Sequence, residues 1–353
     1  MTGPHCFCAG TKLMTLRGEV PVERVAVGDR VVTLSGNGPP LKQVVWTGHV
    51  TIDLDRHPDP LAAAPVRLHA GAVEPGMPVR DLRVSPDHGI FLADEAGQGV
   101  LVPALYLVNG ATITRDPPTG SVTYFHVELE EHDILMADGM AAESYLDTGN
   151  RSVFEASVIA FVPRGAAPPA AAPPGFMPAA RDRASCVKLV LGADAAPVHA
   201  RLMAHVQALG HALTHDPALA VTVAGAPAEL LSAADGDYIF LLPPGAAAIR
   251  LSSRICVPNE TDPRGGDARR LGVALARVLH DGAALPLDGP AFGAGFLAAE
   301  RDGASIWRWT TGDAAMTLTP RAFETTLELH VHTGWSRYWL APGPDAEISA
   351  AAS

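Results

Sequence analysis

"CFCAGT", Cys6 to Thr11, places two of the chain's four cysteines on either side of one phenylalanine, with a turn-prone Ala-Gly pair behind them. A cysteine becomes a nucleophile as its thiolate, and it then needs a carbonyl within reach. The nearest carbonyl upstream of Cys6 is that of His5. Attack there moves the acyl group from the amide nitrogen to sulfur. The amide is the more stable species, so this direction needs a strained peptide, an acid for the departing nitrogen and donors for the oxyanion.

Outward from this stretch, "VSPDHGIF" carries Ser85, Asp87 and His88 in an otherwise apolar setting. An imidazole titrates near neutrality, so His88 could donate a proton. Ser85 could hydrogen-bond the scissile carbonyl, and Asp87 could orient His88 or face water. The competing reading of "SxxH" is a strand-end turn with a satisfied histidine.

The segments between are β-like. "KLMTLRG" alternates and stops at Gly18. "VPVERVAVGDRVVTLSGNG", "KQVVWTGHVTIDL", "SVTYFHVELEEHDILMA" and "AAESYL" are short apolar runs cut by Gly, Asn and Asp turns. That rhythm predicts an all-β domain over 1–160. "PRGAAPPAAAPPGFMPAARDRA" reads as an extended linker, 161–184. Residues 185–353 then form a second domain. It is expected to be a β-sandwich or jelly roll with one helix; Val198, Leu202, Val206, Leu209 and Leu213 recur at helical spacing, with the helix ending near Gly210.

The net charge is -12, and no Lys/Arg cluster exists to neutralise phosphates, which argues against a nucleic-acid partner. Cys6 and Cys8 are too close to bridge without strain, and four thiols in 353 residues are no disulfide framework. The start lacks the apolar stretch of a classical signal peptide, and no apolar run has the length of a membrane span. A soluble chain is expected, cytoplasmic by default, with export by another route left open. No cofactor and no metal are expected.

"CFCAGT" resembles the opening block of Hint domains, the module shared by hedgehog autoprocessing domains and inteins, through Cys6, Phe7 and Thr11. "PVERVAVGDRVVT" resembles the next element, an apolar strand with a Gly-Asp turn. "VSPDHGIF" resembles the T-x-x-H block, with Ser85 and His88 at the Thr and His positions. "VELEEHDILMADGMAAESY" is similar to the closing strand pair. The resemblance covers roughly residues 6–155 and is nearest to one bacterial branch. It implies a horseshoe-shaped all-β fold and an N-to-S acyl shift with Cys6 as nucleophile. It makes His88 the proton donor to the leaving nitrogen and Ser85 a hydrogen-bonding helper. His126 stands where inteins often carry an Asp that assists the first step.

Two departures shape the functional expectation. Inteins end in a His-Asn pair, whereas this chain has Glu143 and Ser144 there, and Asn150 lies past the strand end. Splicing is therefore not expected. The chain is closer to hedgehog domains, which pass a thioester to an outside nucleophile. The expected partners are the chain's own upstream segment and a small nucleophile or thiol acceptor. Only "MTGPH" precedes Cys6, an odd product, which favours the alternative of a catalytically silent scaffold whose second domain binds a carbohydrate or a protein.

Other residues carry paired readings. Cys8 is a second thiol or an inert buried residue. His132 fits the family pattern or steadies a turn. His211 and His215 are four apart, but Gly210 ends the helix before them and no Glu follows His211 as in H-E-x-x-H, while His330 and His332 share a strand face without a third metal ligand. Trp307 and Trp309 stack on sugar rings if exposed and form core if buried.

Overall fold

The computed structural model describes residues 5–147, Arg151, Phe154, 185–262 and 266–340. The Ala/Pro tract expected as a linker and Asn150 lie outside the described residues. The chain divides after Gly210 into two compact units.

The first unit is built on β1 (Phe7–Cys8), β2 (Lys12–Thr15), β3 (Gly18–Pro21), β4 (Arg30–Val32), β5 (Leu41–Asp53), β6 (Val66–Leu68), β7 (Leu82–Val84), β8 (Gly89–Ala93), β9 (Gly99–Pro103), β10 (Ile113–Arg115), β11 (Ser121–Leu129), β12 (Ile134–Ala137) and β13 (Met140–Glu143). One helical turn, α1 (Pro60–Ala63), interrupts them. Pro60 fits its first position, and the Asp59 side chain accepts the Ala62 N–H. The strands join in the order β10-β6-β7-β1-β11-β5-β4-β2-β12-β13-β8-β9, with β3 beside β2.

The long antiparallel pair of β5 and β11 is the spine. Alternation gives β11 two buried faces. Val122 and Tyr124 enter a small core with Cys6, Cys8, Val50 and Leu54. Phe125, Val127 and Leu129 pack on the main core with Phe7, Leu13, Val84 and Ile90. Strand β1 alternates in the same way: Phe7 faces the main core, and Cys6 and Cys8 face the small one.

The predicted helix forms as α2 (Ala196–Ala208), and its apolar face is Val198, Leu202 and Val206. The sequence reading began the second domain at 185. Instead, residues 185–210 pack on the first unit, because an amphipathic helix needs an apolar surface and this one finds it there. Val190, Ala195, Val198 and Leu202 belong to the main core. The His199 Nε2–H donates to the Val108 carbonyl at 3.1 Å, and the His205 Nε2–H donates to the Gly71 carbonyl at 2.8 Å. The segment before α2 also covers the open edge of β9: Leu101 N–H donates to Lys188 O at 2.9 Å, and Val190 N–H donates to Leu101 O at 2.8 Å.

The second unit, His211–Glu347, is the expected β-rich region. Its strands are β14 (Leu213–Thr214), β15 (Ala220–Val223), β16 (Ala226–Pro227), β17 (Glu229–Ala234), β18 (Asp237–Leu242), β19 (Ala248–Ser252), β20 (Ala274–His280), β21 (Ala283–Ala284), β22 (Phe296–Asp302), β23 (Ser305–Thr310), β24 (Asp313–Thr317), β25 (Thr325–Val331) and β26 (Tyr338–Trp339). One sheet runs β16-β15-β19-β24 and another β17-β18-β25-β20-β23-β22, with β21 beside β20. Val221, Ile249, Leu251 and Met316 of the first sheet meet Phe240, Leu242, Leu275 and Leu327 of the second in one core, as in a sandwich. Trp309 is buried with Leu271 and Tyr338, while Trp307 is half-buried and donates its indole N–H to Glu300 Oε2 at 3.2 Å. Among the described residues no helix is long and apolar enough to cross a membrane.

Candidate functional site

Strand register alone brings three of the four predicted site residues together. Strand β1 lies between β7 and β11. Phe7 pairs with Phe125 and Cys8 with Tyr124 on one side, and Phe7 pairs with Val84 on the other. One residue further upstream, Cys6 therefore stands between Ser85 and His126. The contacts agree. The Cys6 N–H donates to Ser85 Oγ at 2.9 Å, the Ser85 N–H donates to the Cys6 carbonyl at 2.9 Å, and Cys6 Sγ lies 2.9 Å from His126 Nε2. Cys6 has no exposure to solvent.

His126 meets the sulfur that the acyl shift would use and lies against the backbone of the preceding residue. Besides Sγ, the backbone of His5, whose carbonyl belongs to the peptide bond in question, lies close enough to act on the protonation of the ring. The ring is enclosed by Phe154 at 4.1 Å and Tyr145 at 4.7 Å, with Trp46 stacked at 6.4 Å. Gly48, opposite His126 in β5, allows this. A Cβ there would lie 2.3 Å from the Trp46 ring.

Burial keeps both partners neutral. It lowers His126 to about 3, with further lowering from the charges of His5 and His88, against its hydrogen bond to the His5 backbone. Burial likewise pushes the Cys6 thiol well above its usual range, and Cys8 adds to this, while the Ser85 hydrogen bond opposes it. Cys8 itself is pushed up to about 12, chiefly by burial. A neutral thiol therefore faces a neutral imidazole. Cys6 is not a standing thiolate, and any attack by its sulfur would need a base to take the proton; His126 Nε2 lies 2.9 Å from that sulfur.

His88 lies in the same turn as Ser85, and its backbone N–H donates to the Ser85 carbonyl at 3.1 Å. Its ring is fully buried against Phe7, with centroids 4.4 Å apart. The hydrogen-bond partner of the Cys6 amide nitrogen is thus the Ser85 hydroxyl. Asp87, read as an orienter of His88 or a solvated acid, offers its backbone carbonyl to the His5 ring at 2.8 Å.

Sequence reasoning missed the carboxylate beside this cluster. Glu143, noted only as a departure from a His-Asn ending, is almost fully buried at the end of β13. Its Oε1 accepts the Gly89 N–H and lies 3.6 Å from His5 Nδ1, and its Oε2 lies 3.3 Å from His132 Nε2. A buried acid at the end of a short apolar strand was the available signal, since burial of Glu demands partners. Ser144 closes the strand structurally: its Oγ accepts the Asp133 N–H at 3.0 Å, and its own N–H donates to the Asp133 carbonyl at 2.8 Å.

Residues 5–149 match the family model described as Hint domain. Among similar solved structures, a bacterial intein-like domain from Clostridium thermocellum is 14% identical and covers 41% of this chain and 100% of its own, with a TM-score of 0.28. The MchDnaB-1 intein is 15% identical, covering 39% of this chain and 98% of its own, with a TM-score of 0.27. No curated protein matches the chain. The first unit thus carries a Hint-type domain, followed by a second β-rich unit.

Proposed function

We propose that the first unit performs a single-turnover N-to-S acyl shift at Cys6. The observation that carries this reading is the placement of Cys6 between Ser85 Oγ and His126 Nε2, with the His5 carbonyl in reach of the same imidazole. In the proposed sequence Cys6 Sγ attacks the His5 carbonyl carbon as its proton passes to His126. The imidazolium so formed stabilises the developing oxyanion from within a buried pocket, without solvent rearrangement. The bond from the His5 carbonyl carbon to the Cys6 nitrogen breaks, and the proton that the thiol gave to His126 ends on that nitrogen, which the Ser85 hydroxyl holds at 2.9 Å. The product is a thioester joining His5 to Cys6 Sγ, with a free amine on Cys6. An outside thiol or other small nucleophile then attacks the thioester carbonyl, releases the upstream segment ending at His5 and leaves the Cys6 thiol.

Cleavage without splicing follows from Glu143 and Ser144, since neither side chain cyclises as Asn does. The test is a passenger protein fused ahead of His5, treated with hydroxylamine or dithiothreitol. The expected result is nucleophile-dependent release with a hydroxamate or thioester mass on the passenger, absent in Cys6→Ala. Release that persists in Cys6→Ala overturns the reading.

A second reading rests on a different observation. The Trp335 ring is 48% exposed and stacks on His332 at 3.9 Å, with Trp307 edge-on at 5.2 Å. Such a platform supports sugar or protein binding by the second unit, with the first unit as a silent scaffold. Glycan-array binding lost in Trp335→Ala, with no thiol-dependent release, is the pattern this reading expects.

A further inference from the structure

The side chain of His5 is as firmly held as the peptide bond that follows it. It is 3% exposed. Its Nδ1 lies 2.8 Å from the Asp87 carbonyl oxygen, which only accepts, so Nδ1 carries the hydrogen. The same nitrogen lies 3.6 Å from Glu143 Oε1.

Glu143 is itself held from two sides. The Gly89 N–H donates to Oε1. The other oxygen faces His132 Nε2 at 3.3 Å. His132 Nδ1 accepts the Cys186 N–H at 3.1 Å, which leaves the ring hydrogen on Nε2, the nitrogen beside the carboxylate. Gly89 is the residue that lets the carboxylate come so near the backbone. A Cβ there would lie 2.8 Å from Oε1 and 2.9 Å from the carboxyl carbon. A buried acid held by a backbone N–H and a histidine, with a second histidine on its remaining side, is a preorganised acceptor site for a ring or amide N–H.

We propose that Glu143 and the Asp87 carbonyl form a recognition pocket for the side chain of the acyl-donor residue, selecting a residue with an N–H donor at the Nδ1 position of His5. The inference rests on the acyl-shift reading and extends it: the domain chooses which upstream peptide it cleaves by the residue just before Cys6. Glu143 is a specificity and positioning residue. Holding the His5 side chain fixes the rotation of its Cα and hence the direction from which Cys6 Sγ meets the carbonyl.

The test uses the full chain with a passenger ahead of residue 5 and follows Cys6-dependent release by hydroxylamine. His5→Ala and His5→Leu are expected to slow release by about tenfold to a hundredfold, the range for leaving buried acceptors without their donor. His5→Asn, whose amide N–H can stand in for the ring N–H, is expected to recover most of the rate. Glu143→Gln slows the parent but adds nothing in the His5→Ala background, because both changes remove one interaction. Release at parental rate in His5→Ala, or additive losses in the double variant, overturns the proposal.

A second readout is independent of cleavage. In the Cys6→Ala chain, nitrogen-15 NMR of labelled imidazoles is expected to show a slowly exchanging Nδ1–H of His5 that is lost in Gly89→Ala and in Glu143→Gln. Its absence from the Cys6→Ala parent, or its persistence in both variants, overturns the pocket. Its presence and loss as expected, with no Cys6-dependent release in any chain, upholds the pocket and defeats the acyl-shift reading instead.

Discussion

Burial of His126 fixes its protonation state. It stays neutral in the fold down to about pH 3, whereas the same ring in an unfolded chain takes a proton near its ordinary 6.5. The unfolded chain therefore binds the extra proton between those values. The stability tied to a neutral His126 is complete above pH 6.5 and drains away as pH falls toward 3, by up to about 1.4 kcal/mol per pH unit. Urea midpoints measured from pH 7 to pH 4 are expected to fall more steeply in the parent than in His126→Gln, and parallel curves contradict the assignment. The cysteines allow a second check. Cys6 and Cys8 are buried and have raised thiol pKa values. Iodoacetamide at pH 8 is expected to leave both unlabelled in the folded chain and to label both in urea, as read by peptide mass. Of the residues named from the sequence, Cys6, Ser85 and His126 come together. Glu143 was hidden because its partners, Gly89, His5 and His132, are scattered along the chain.

At the scale of elements, the site depends on the register of a two-residue strand. Strand β1 sits between β7 and β11, and a slip of one residue would turn Cys6 toward the main core and Phe7 toward His126. The spine supports this through Gly48, which leaves room for the Trp46 ring beside His126. Gly48→Ala is expected to cost about 1–3 kcal/mol, the usual penalty for overpacking. It is also expected to shift tryptophan emission and to slow any Cys6-dependent release. An unchanged melting temperature with unchanged emission counts against this account of Gly48. Alternating runs such as "SVTYFHVEL" announced the strands. Which strand lies beside which was not legible, because β7 and β11 reach β1 from 79 and 120 residues away, the separations of Ser85 and His126 from Cys6.

For the whole molecule, the placement of α2 defines the first unit. Val198 and Leu202 are buried in its core, and each fully buried side chain of this kind contributes about 1.5–3 kcal/mol. A fragment ending after Gly210 is therefore expected to outlast one ending at Ala184 in urea by at least about 3 kcal/mol. Equal midpoints would mean that the helix adds nothing to the first unit. The sequence reading found this helix and its end near Gly210, yet attached it to the following domain. Proximity along the chain to the Ala/Pro tract decided that reading, whereas the molecule is organised by which apolar faces meet.

The sequence by itself determined that the chain is all-β, that one helix spans the stretch before Gly210, and that Cys6, Ser85, His88 and His126 are the residues to watch. These are local matters: period-two alternation, helical spacing, turn residues, and residue types set in a family-like pattern. Only the tertiary structure decided that Ser85 Oγ holds the Cys6 amide, that His126 meets the Cys6 thiol, that Glu143 closes on His5, and that α2 belongs to the first unit. Each of these is a contact between segments far apart in sequence. Such contacts follow from strand register and burial, which no short window of residues encodes.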